Sequence, residues 1–347
     1  MENPEYFRQS FIGNLYPTAH VKPTTSVVPN LKGLNMFKYL EFVSSSTAFV
    51  PEDLQKKIRI SKFLIAGTGS IGNPIAMMLA RSGAENITNA DPENIEISNL
   101  ARQEFSYFQV GNNKAEMTTQ NIIAINPDAA NNTKSVPEGI TQANVEGLVN
   151  HADIIIDGID IRSSEFSWEL HKYAAMLRKP VIVGYDLAGT AMIKIYRYDI
   201  KPMKPLNNEI TEEKIQQFLR IKSKFEEKEI TESQFVDYVY EVLTGPINPF
   251  LVPVEQLREI INRKDGETST AQIGTTARLI SVLAVEAIKQ ILAGNPVKGV
   301  INADSPSLVR KNNPSVFTKI KYMLGALSVI RKRGKKVRDM LSTLGSL

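Results

Sequence analysis

The chain has 347 residues, of which 42% are hydrophobic and 22% charged, the composition of a globular protein that can bury a sizeable core. It has no cysteine and only three histidines. This excludes disulfides, thiolate metal sites and a thioester or persulfide on the chain, and we expect no zinc. No apolar run is long enough to span a membrane and no signal-peptide pattern opens the chain, so we expect a cytoplasmic protein.

Positive charge is concentrated near the C-terminal end. Residues 307–347 hold ten Lys or Arg and one acidic residue, so this segment has a net charge of about +9. Since the whole chain has a net charge of +4, the other residues together carry about −5. Such a segment is either an interaction arm for an acidic partner or a solubilising helix, and both interpretations stay open. Nucleic acid is the less expected partner, because the basic stretch has little aromatic character interleaved with it.

In chain order, residues 1–50 are turn-rich and weakly patterned, and we expect a small N-terminal appendage. Pro51 to Ile58 predicts the start of a helix, because proline suits a first turn and the following acidic residues complement the helix dipole. The apolar run Phe63–Ala66 predicts a strand. A helix is predicted over Asn73–Ser82 and a second strand over Asn86–Asp91.

The first chemical motif lies between these elements. The nucleotide-binding βαβ pattern is a strand, a glycine-rich loop, a helix and a second strand that ends on an acidic residue. Here the loop is Gly67-x-Gly69-x-x-Gly72 and the acidic residue is Asp91. Its glycines permit close backbone approach, the helix N-terminus faces phosphate and the carboxylate binds ribose hydroxyls. Alone, this pattern fits dehydrogenases, flavoproteins, methyltransferases and adenylating enzymes equally.

The remaining elements predict an α/β fold with a Rossmann-like, mostly parallel sheet and an antiparallel extension. Helices are predicted over Lys114–Ile125, Ser163–Leu177 and Ile273–Leu292, and strands over Asp153–Gly158, Pro180–Gly184, Ala191–Tyr198 and Val297–Ala303. Residues from about 200 to 269 interrupt this rhythm with polar helices over Glu212–Lys228 and Glu232–Leu243. The predicted domains are therefore the appendage 1–50, a core 51–306 that contains this insertion, and a basic helical tail 307–347.

Two motifs beyond Asp91 indicate which nucleotide is bound. Asn99-Leu100-x-Arg102-Gln103 and Gly111-x-x-Lys114 place an arginine and a lysine near the phosphate end of the predicted site. A dinucleotide does not need so much positive charge. A guanidinium and an ammonium are what a triphosphate requires while its pyrophosphate departs.

A third motif, Asp157-Gly158-Ile159-Asp160, follows the isoleucine-rich strand. Ligands of open α/β sheets bind outside the carboxyl ends of such strands. A carboxylate at that position can hold a magnesium ion that bridges phosphates. Helix capping is the alternative role for one of the two aspartates.

In this order, the motifs resemble the adenylating core shared by ThiF, MoeB, HesA and the ubiquitin-activating enzymes. The resemblance covers about residues 55–200 and 270–303. It implies activation of a carboxylate by ATP, as an acyl-adenylate, with release of pyrophosphate. It also implies a homodimer.

The resemblance assigns roles by position. Asp160 would hold magnesium, and the catalytic residues would be Arg102, Lys114 and Asp160. The nucleotide would be bound by the glycine loop, by the ribose-binding carboxylate and by three phosphate-binding residues: Gly67, Gly69, Gly72, Asp91, Asn99, Arg102 and Lys114.

The chain also departs from the family pattern. Gly158-Ile159-Asp160-Ile161 stands where members often have Cys-Thr-Asp-Asn, and Lys201-Pro202-Met203-Lys204 stands where the first zinc-binding cysteine pair is expected. The catalytic cysteine is absent as well. The N-terminal arginine that reaches the partner's γ-phosphate in family members has two candidates here, Arg8 and Arg59.

The missing thiol favours the branch that adenylates a peptide and lets another nucleophile attack, which resembles the microcin C and pantocin A tailoring enzymes. This implies a role in peptide antibiotic maturation, with residues 1–50 as a possible peptide-holding element. The substrate would be a peptide or a small carrier protein. The alternatives are adenylation of a ubiquitin-like sulfur carrier, an NAD-dependent oxidoreductase, and an ATP-binding pseudoenzyme or scaffold.

Overall fold

A seven-stranded sheet organises the part of the chain that the computed structural model describes, which is residues 38–243, 245–263 and 272–343. The strands are β1 Lys62–Ala66, β2 Asn86–Ala90, β3 Lys134–Val136, β4 Ile154–Asp157, β5 Val181–Leu187, β6 Thr190–Tyr196 and β7 Val300–Asp304. Their order is β3-β2-β1-β4-β5-β6-β7. The first five are parallel, and β6 runs antiparallel to both of its neighbours. The predicted mostly parallel sheet with an antiparallel extension is confirmed.

The described residues form twelve α-helices. They are α1 Tyr39–Phe42, α2 Glu52–Ile60, α3 Gly72–Arg81, α4 Lys114–Ile125, α5 Val145–His151, α6 Ser164–Met176, α7 Glu212–Glu226, α8 Glu232–Leu243, α9 Val254–Asn262, α10 Gly274–Leu292, α11 Ser305–Val309 and α12 Val316–Thr343. In this part of the chain, no helix combines the length and the apolar character needed to cross a membrane.

Helices cover both faces of the sheet, because successive residues of each central strand point to opposite faces. In β1, Phe63 and Ile65 pack with α2, α3 and α10, whereas Leu64 and Ala66 pack with α5 and α6. One apolar core therefore packs on each face of the parallel strands. Such burial on both sides is the reason that β1 and β4 read as continuous apolar runs.

The helical insertion and the basic C-terminal segment pack against each other. Helix α12 contacts α8 and α9, and it buries Met323, Ala326 and Val337. The structure shows a folded helix here, which is compatible with both interpretations of this segment. Attraction of an acidic partner by its basic residues stays a prediction.

The N-terminal boundary of the main unit lies earlier than residue 50. The described residues from 38 onward form one compact unit. The Tyr39 hydroxyl donates to the Gly83 carbonyl over 3.0 Å, and the Gln55 side chain donates to the Tyr39 hydroxyl over 2.8 Å. Residues 38–50 thus belong to the sheet domain, because buried hydrogen bonds tie Tyr39 to the turn after α3. Of the possible peptide-holding element predicted over residues 1–50, residues 1–37 lie outside the described residues.

Candidate active site

The loops after three parallel strands converge at one edge of the sheet. From β1 the chain continues to β2 on one side, and β4 lies on the other side, so a topological switch point falls between β1 and β4. The Gly158 N–H donates to the Ala66 carbonyl over 2.7 Å, and the Gly67 N–H donates to the Ala90 carbonyl over 2.7 Å. In open α/β sheets, such a crevice is where ligands bind.

The three glycines of the loop after β1 serve two different purposes. Gly67 has a φ of +86°, and a Cβ at Gly67 would collide with the Gly158 backbone. A Cβ at Gly72 would collide with the Gly67 carbonyl oxygen. A Cβ at Gly69 would meet only the Gln103 side chain, at 3.9 Å. Gly67 and Gly72 are therefore required by packing, whereas Gly69 leaves open space near the N-terminus of α3, which suits a phosphate.

This difference predicts opposite results for two alanine variants. Gly72→Ala should lower the free energy of unfolding by about 1–3 kcal/mol or more, because the added methyl group would collide with the Gly67 carbonyl oxygen. Gly69→Ala should leave unfolding unchanged within about 0.5 kcal/mol and weaken ATP binding about tenfold. Denaturant melts and calorimetric titration with ATP measure both quantities. Equal destabilisation by the two substitutions would contradict the assignment.

Asp91 follows β2 and joins two loops. One carboxylate oxygen accepts the Thr68 N–H over 2.7 Å, and the other accepts the Glu93 N–H over 2.9 Å. Burial raises the pKa of Asp91, while the Glu93 N–H and the positive charge of Lys114 oppose that rise. Each oxygen keeps acceptor capacity for a further donor, so the position fits the predicted ribose contact.

Arg102 lies against the glycine loop. Its Nε donates to the Ser70 hydroxyl oxygen over 2.9 Å, and a terminal nitrogen donates to the Ser98 carbonyl over 2.8 Å. The Arg102 N–H donates to the Asn99 carbonyl over 3.0 Å, and the Asn99 side-chain oxygen accepts the Glu96 N–H. Asn99 therefore shapes the turn that carries Arg102. Its predicted phosphate contact stays a prediction.

Lys114 is buried beside the same edge, at the start of α4. It is 4% exposed, and its ammonium pairs with the Glu93 carboxylate. Its charge also acts on Asp91. The structure thus places Lys114 with the predicted ribose-binding carboxylate, and a phosphate ligand would compete with Glu93 for it.

Asp157 and Asp160 differ in their surroundings. Asp157 is 3% exposed and accepts the Ile159 N–H over 3.0 Å and the Ser167 hydroxyl. His171 Nε2 also lies 3.3 Å from the Asp157 carboxylate. Asp157 therefore holds the loop after β4 in place, a role that its sequence position did not reveal.

Asp160 is exposed, and one of its oxygens accepts the Arg162 N–H over 2.8 Å. Asp160 thus caps the short 3₁₀-helix Ile161–Ser163, which is the capping role expected for one of the two aspartates. Among the described residues, no group of three or more His, Cys, Asp or Glu could hold a metal ion. Magnesium is commonly held by one or two carboxylates together with substrate phosphates, so Asp160 fits the ion only when a nucleotide supplies the other oxygens.

Buried polar atoms without partners mark the same edge. Ten such side-chain atoms occur in the described part of the chain, and buried polar atoms normally have a partner. Four of the ten lie near the glycine loop and the start of α10: Thr68 Oγ1, Gln103 Oε1, Asp186 Oδ1 and Thr276 Oγ1. The Thr276 hydroxyl hydrogen-bonds the Asp186 carboxyl, so Thr68 Oγ1 and Gln103 Oε1 are the two of these four atoms that are left without a partner among the described residues.

Of the two candidates for an arginine that crosses a dimer, Arg8 lies outside the described residues. Arg59 lies in the last turn of α2 and is already engaged within its own chain. It pairs with Glu85 at 2.7 Å and with Asp128 at 3.4 Å, and it stacks 4.0 Å from the Tyr39 ring centre. These contacts tie α2 to the amino end of β2, which is the edge opposite the crevice.

The sequence profile of the ThiF family matches residues 43–319. The chain belongs to the ThiF family. Three relatives with similar sequences are named as adenylyltransferases. The sulfur carrier protein ThiS adenylyltransferase of Escherichia coli (strain K12) is 28% identical over 133 residues, which are 38% of this chain and 51% of the relative.

The molybdopterin-synthase adenylyltransferase of Haemophilus influenzae is 26% identical over 148 residues, 42% of this chain and 59% of the relative. The adenylyltransferase and sulfurtransferase UBA4 of Lodderomyces elongisporus is 28% identical over 146 residues, 42% of this chain and 31% of the relative. The matched segments thus cover between about a third and six tenths of the length of these relatives. The crystal structure of selenomethionine PaaA has 18% identity and a TM-score of 0.53, covers 78% of this chain and 81% of its own, and shares the fold.

Proposed function

We propose that this ThiF-family chain is an ATP- and magnesium-dependent adenylyltransferase that activates a carboxylate on a peptide or a small carrier protein. The observation that carries the proposal is the hydrogen bond from Arg102 to Ser70, beside the open space at Gly69. It brings a guanidinium to the place where a triphosphate would lie on the glycine loop. The names of the relatives support the same activity.

In the proposed reaction, a substrate carboxylate attacks the α-phosphorus of ATP. A carboxylate-oxygen-to-phosphorus bond forms, the bond from phosphorus to the bridging oxygen breaks, and pyrophosphate leaves with the electron pair. Asp91 orients the ribose, while Asn99, Arg102 and Lys114 bind the phosphates and stabilise the charge on pyrophosphate. Asp160 would hold magnesium, which neutralises phosphate charge when it is bound.

A nucleophile from the substrate or from a second molecule would then attack the acyl-adenylate. The absence of cysteine supports this order of events, because the chain has no thiol to accept the acyl group. We therefore propose a peptide substrate, with a place in peptide antibiotic maturation and in the cytoplasm. A ubiquitin-like sulfur carrier is the second candidate, which the ThiS adenylyltransferase relative favours.

A binding experiment separates this function from that of a nicotinamide-dependent oxidoreductase. ATP and NADH are titrated separately into the protein, with and without magnesium. The proposal expects ATP to bind and magnesium to tighten its binding, because Asp160 contributes to affinity only through the ion. Tighter binding of NADH, without any effect of magnesium, would contradict it.

We also propose a homodimer. Four large apolar side chains between the end of α11 and the start of α12 are strongly exposed: Leu308 at 80%, Val309 at 86%, Val316 at 72% and Phe317 at 86%. Sedimentation should show a dimer that Val309→Asp with Phe317→Asp converts to a monomer. The control is Phe49→Asp, since Phe49 is equally exposed at 88% but lies before α2. A wild-type monomer would contradict this assembly.

A further inference from the structure

Two hydrogen bonds from different nitrogens hold the Arg102 side chain. Its Nε donates to the Ser70 hydroxyl oxygen over 2.9 Å, and a terminal nitrogen donates to the Ser98 carbonyl over 2.8 Å. Because a guanidinium is planar, these two bonds fix both its position and the directions of its remaining N–H donors. Ser98 belongs to the same turn as Arg102, whereas Ser70 belongs to the glycine loop. Of the two bonds, the one to Ser70 therefore ties the guanidinium to the loop on which a phosphate would lie.

The Ser70 hydroxyl takes part in a second hydrogen bond. It has a single proton, which it donates to the side-chain oxygen of Gln272 over 3.0 Å. Since Gln272 takes this proton, the lone pairs of Ser70 Oγ are left to accept the Arg102 Nε–H. A hydroxyl without this acceptor could turn its proton toward the guanidinium, which has no lone pair to receive it. Gln272 thus sets the direction of the hydroxyl that Arg102 contacts.

Gln272 is exposed, but the segment that follows it is anchored at the end of β5. The Ile273 N–H donates to one oxygen of the Asp186 carboxyl over 3.1 Å. The Thr276 hydroxyl hydrogen-bonds the same carboxyl, and the charge of Arg102 also acts on it. The start of α10, Asp186 and Arg102 therefore form one cluster, and Gln272 extends from a fixed point of it.

The start of α10 also packs on the turn that carries Arg102. A Cβ at Gly274 would collide with the Ala101 carbonyl oxygen. One turn further along α10, Arg278 pairs with Glu104 at 3.1 Å. These two contacts fall on either side of Arg102 in the sequence. The position of Arg102 thus depends on where α10 begins.

We propose that Gln272, acting through Ser70, positions the Arg102 guanidinium for the pyrophosphate part of ATP. The inference rests on the proposed adenylation and deepens it, because it makes assembly of the phosphate site depend on a residue that follows the helical insertion in the chain. Gln272 and Ser70 are positioning residues, and neither has to touch a phosphate. Without Gln272, the Ser70 hydroxyl no longer has a fixed direction, and the remaining donors of Arg102 lose their alignment.

Calorimetric titration of the full chain with inorganic pyrophosphate, with magnesium present, tests this assignment. Pyrophosphate carries the charges that Arg102 is proposed to bind, and its binding needs no carboxylate substrate. Arg102→Ala should weaken its binding roughly 10–100-fold, the usual loss for hydrogen bonds to a charged group. Gln272→Leu and Ser70→Ala should each weaken it by about 3–10-fold, as expected for one ordinary hydrogen bond.

A double-mutant cycle distinguishes positioning from a structural role. If Gln272 acts through Ser70 and Arg102, adding Gln272→Leu to Ser70→Ala or to Arg102→Ala should weaken pyrophosphate binding by less than about twofold more. AMP lacks the pyrophosphate group, so it should bind nearly equally to the wild type and to every variant. Thr275→Val is the matched control, since Thr275 is exposed in the same segment, and it should leave pyrophosphate binding unchanged.

A full Gln272→Leu loss that persists in the Ser70→Ala background would overturn the inference, and so would unchanged pyrophosphate binding in Gln272→Leu alone. Equal weakening of AMP and pyrophosphate by Gln272→Leu would show a structural role and overturn it as well. A wild-type chain that binds ATP but not pyrophosphate would also overturn this inference alone. Binding of neither ATP nor pyrophosphate contradicts the proposed function itself, and this inference with it.

Discussion

Replacing Arg102 with alanine is expected to slow pyrophosphate release by about 10²–10³-fold, the usual cost of removing one oriented electrostatic contact to a transition state. The guanidinium has five N–H donors, and its contacts to Ser70 and Ser98 use two of them. The rest are available to phosphate oxygens. Because the lost contact forms mainly as pyrophosphate departs, the loss should fall on kcat more than on the KM for ATP.

The measurement compares three variants by coupled detection of pyrophosphate. Arg102→Lys keeps the charge but loses the planar fork, so an intermediate rate is expected. Arg81→Ala removes an exposed arginine at the end of α3 and should have the wild-type rate. If Arg102→Ala retained wild-type turnover while binding ATP, the phosphate role of Arg102 would be refuted.

The second large effect is expected for Asp160→Asn. Asparagine can keep the hydrogen bond that Asp160 accepts from the Arg162 N–H, so the short helix after it should stay folded. The negative charge for magnesium is lost. Since a bound metal contributes several kcal/mol to such reactions, pyrophosphate release should fall by about 10²–10³-fold and recover partly at high magnesium.

The matched control is Asp153→Asn at the other end of β4, where the carboxylate accepts the Lys62 N–H over 2.9 Å. This substitution should leave the magnesium dependence unchanged. Rates are measured as a function of magnesium concentration at saturating ATP. Identical magnesium curves for the wild type and Asp160→Asn would rule out Asp160 as the residue that holds the ion.

The elements that sequence predicted well are the buried and strongly patterned ones. The helix over Lys114–Ile125 has the predicted bounds. Strand β1 begins one residue before the predicted run, and α3 begins and ends one residue before the predicted helix. The missed elements include β3, α5, α9 and α11. Strand β3 has three residues at the edge of the sheet and is not buried, so it lacks a hydrophobic signal. Helix α9 lies close behind Pro249 and Pro253, which indicate a loop.

The residues of the candidate site also differ in how well the sequence predicted them. Local spacing identified the glycine loop and the carboxylate after β2, because these residues lie within one βαβ unit. Contacts between distant segments carry no local signal: Ser70 donates to Gln272 across 202 positions, and Ile273 donates to Asp186 across 87. Asp186 follows a predicted strand but belongs to no motif, so only the fold shows that it shares a cluster with Arg102.

Exchange of labelled pyrophosphate into ATP by the wild-type protein tests the central claim most directly. The assay contains magnesium and a carboxylate panel, defined as short synthetic peptides and small ubiquitin-like carrier proteins that each end in a free carboxylate. A parallel reaction omits this panel. We predict that exchange requires both magnesium and at least one carboxylate substrate. We also predict that Arg102→Ala and Asp160→Asn each lower exchange by about 10²–10³-fold. A protein that binds ATP yet exchanges no pyrophosphate with any member of the panel would contradict adenylation and indicate a nucleotide-binding scaffold.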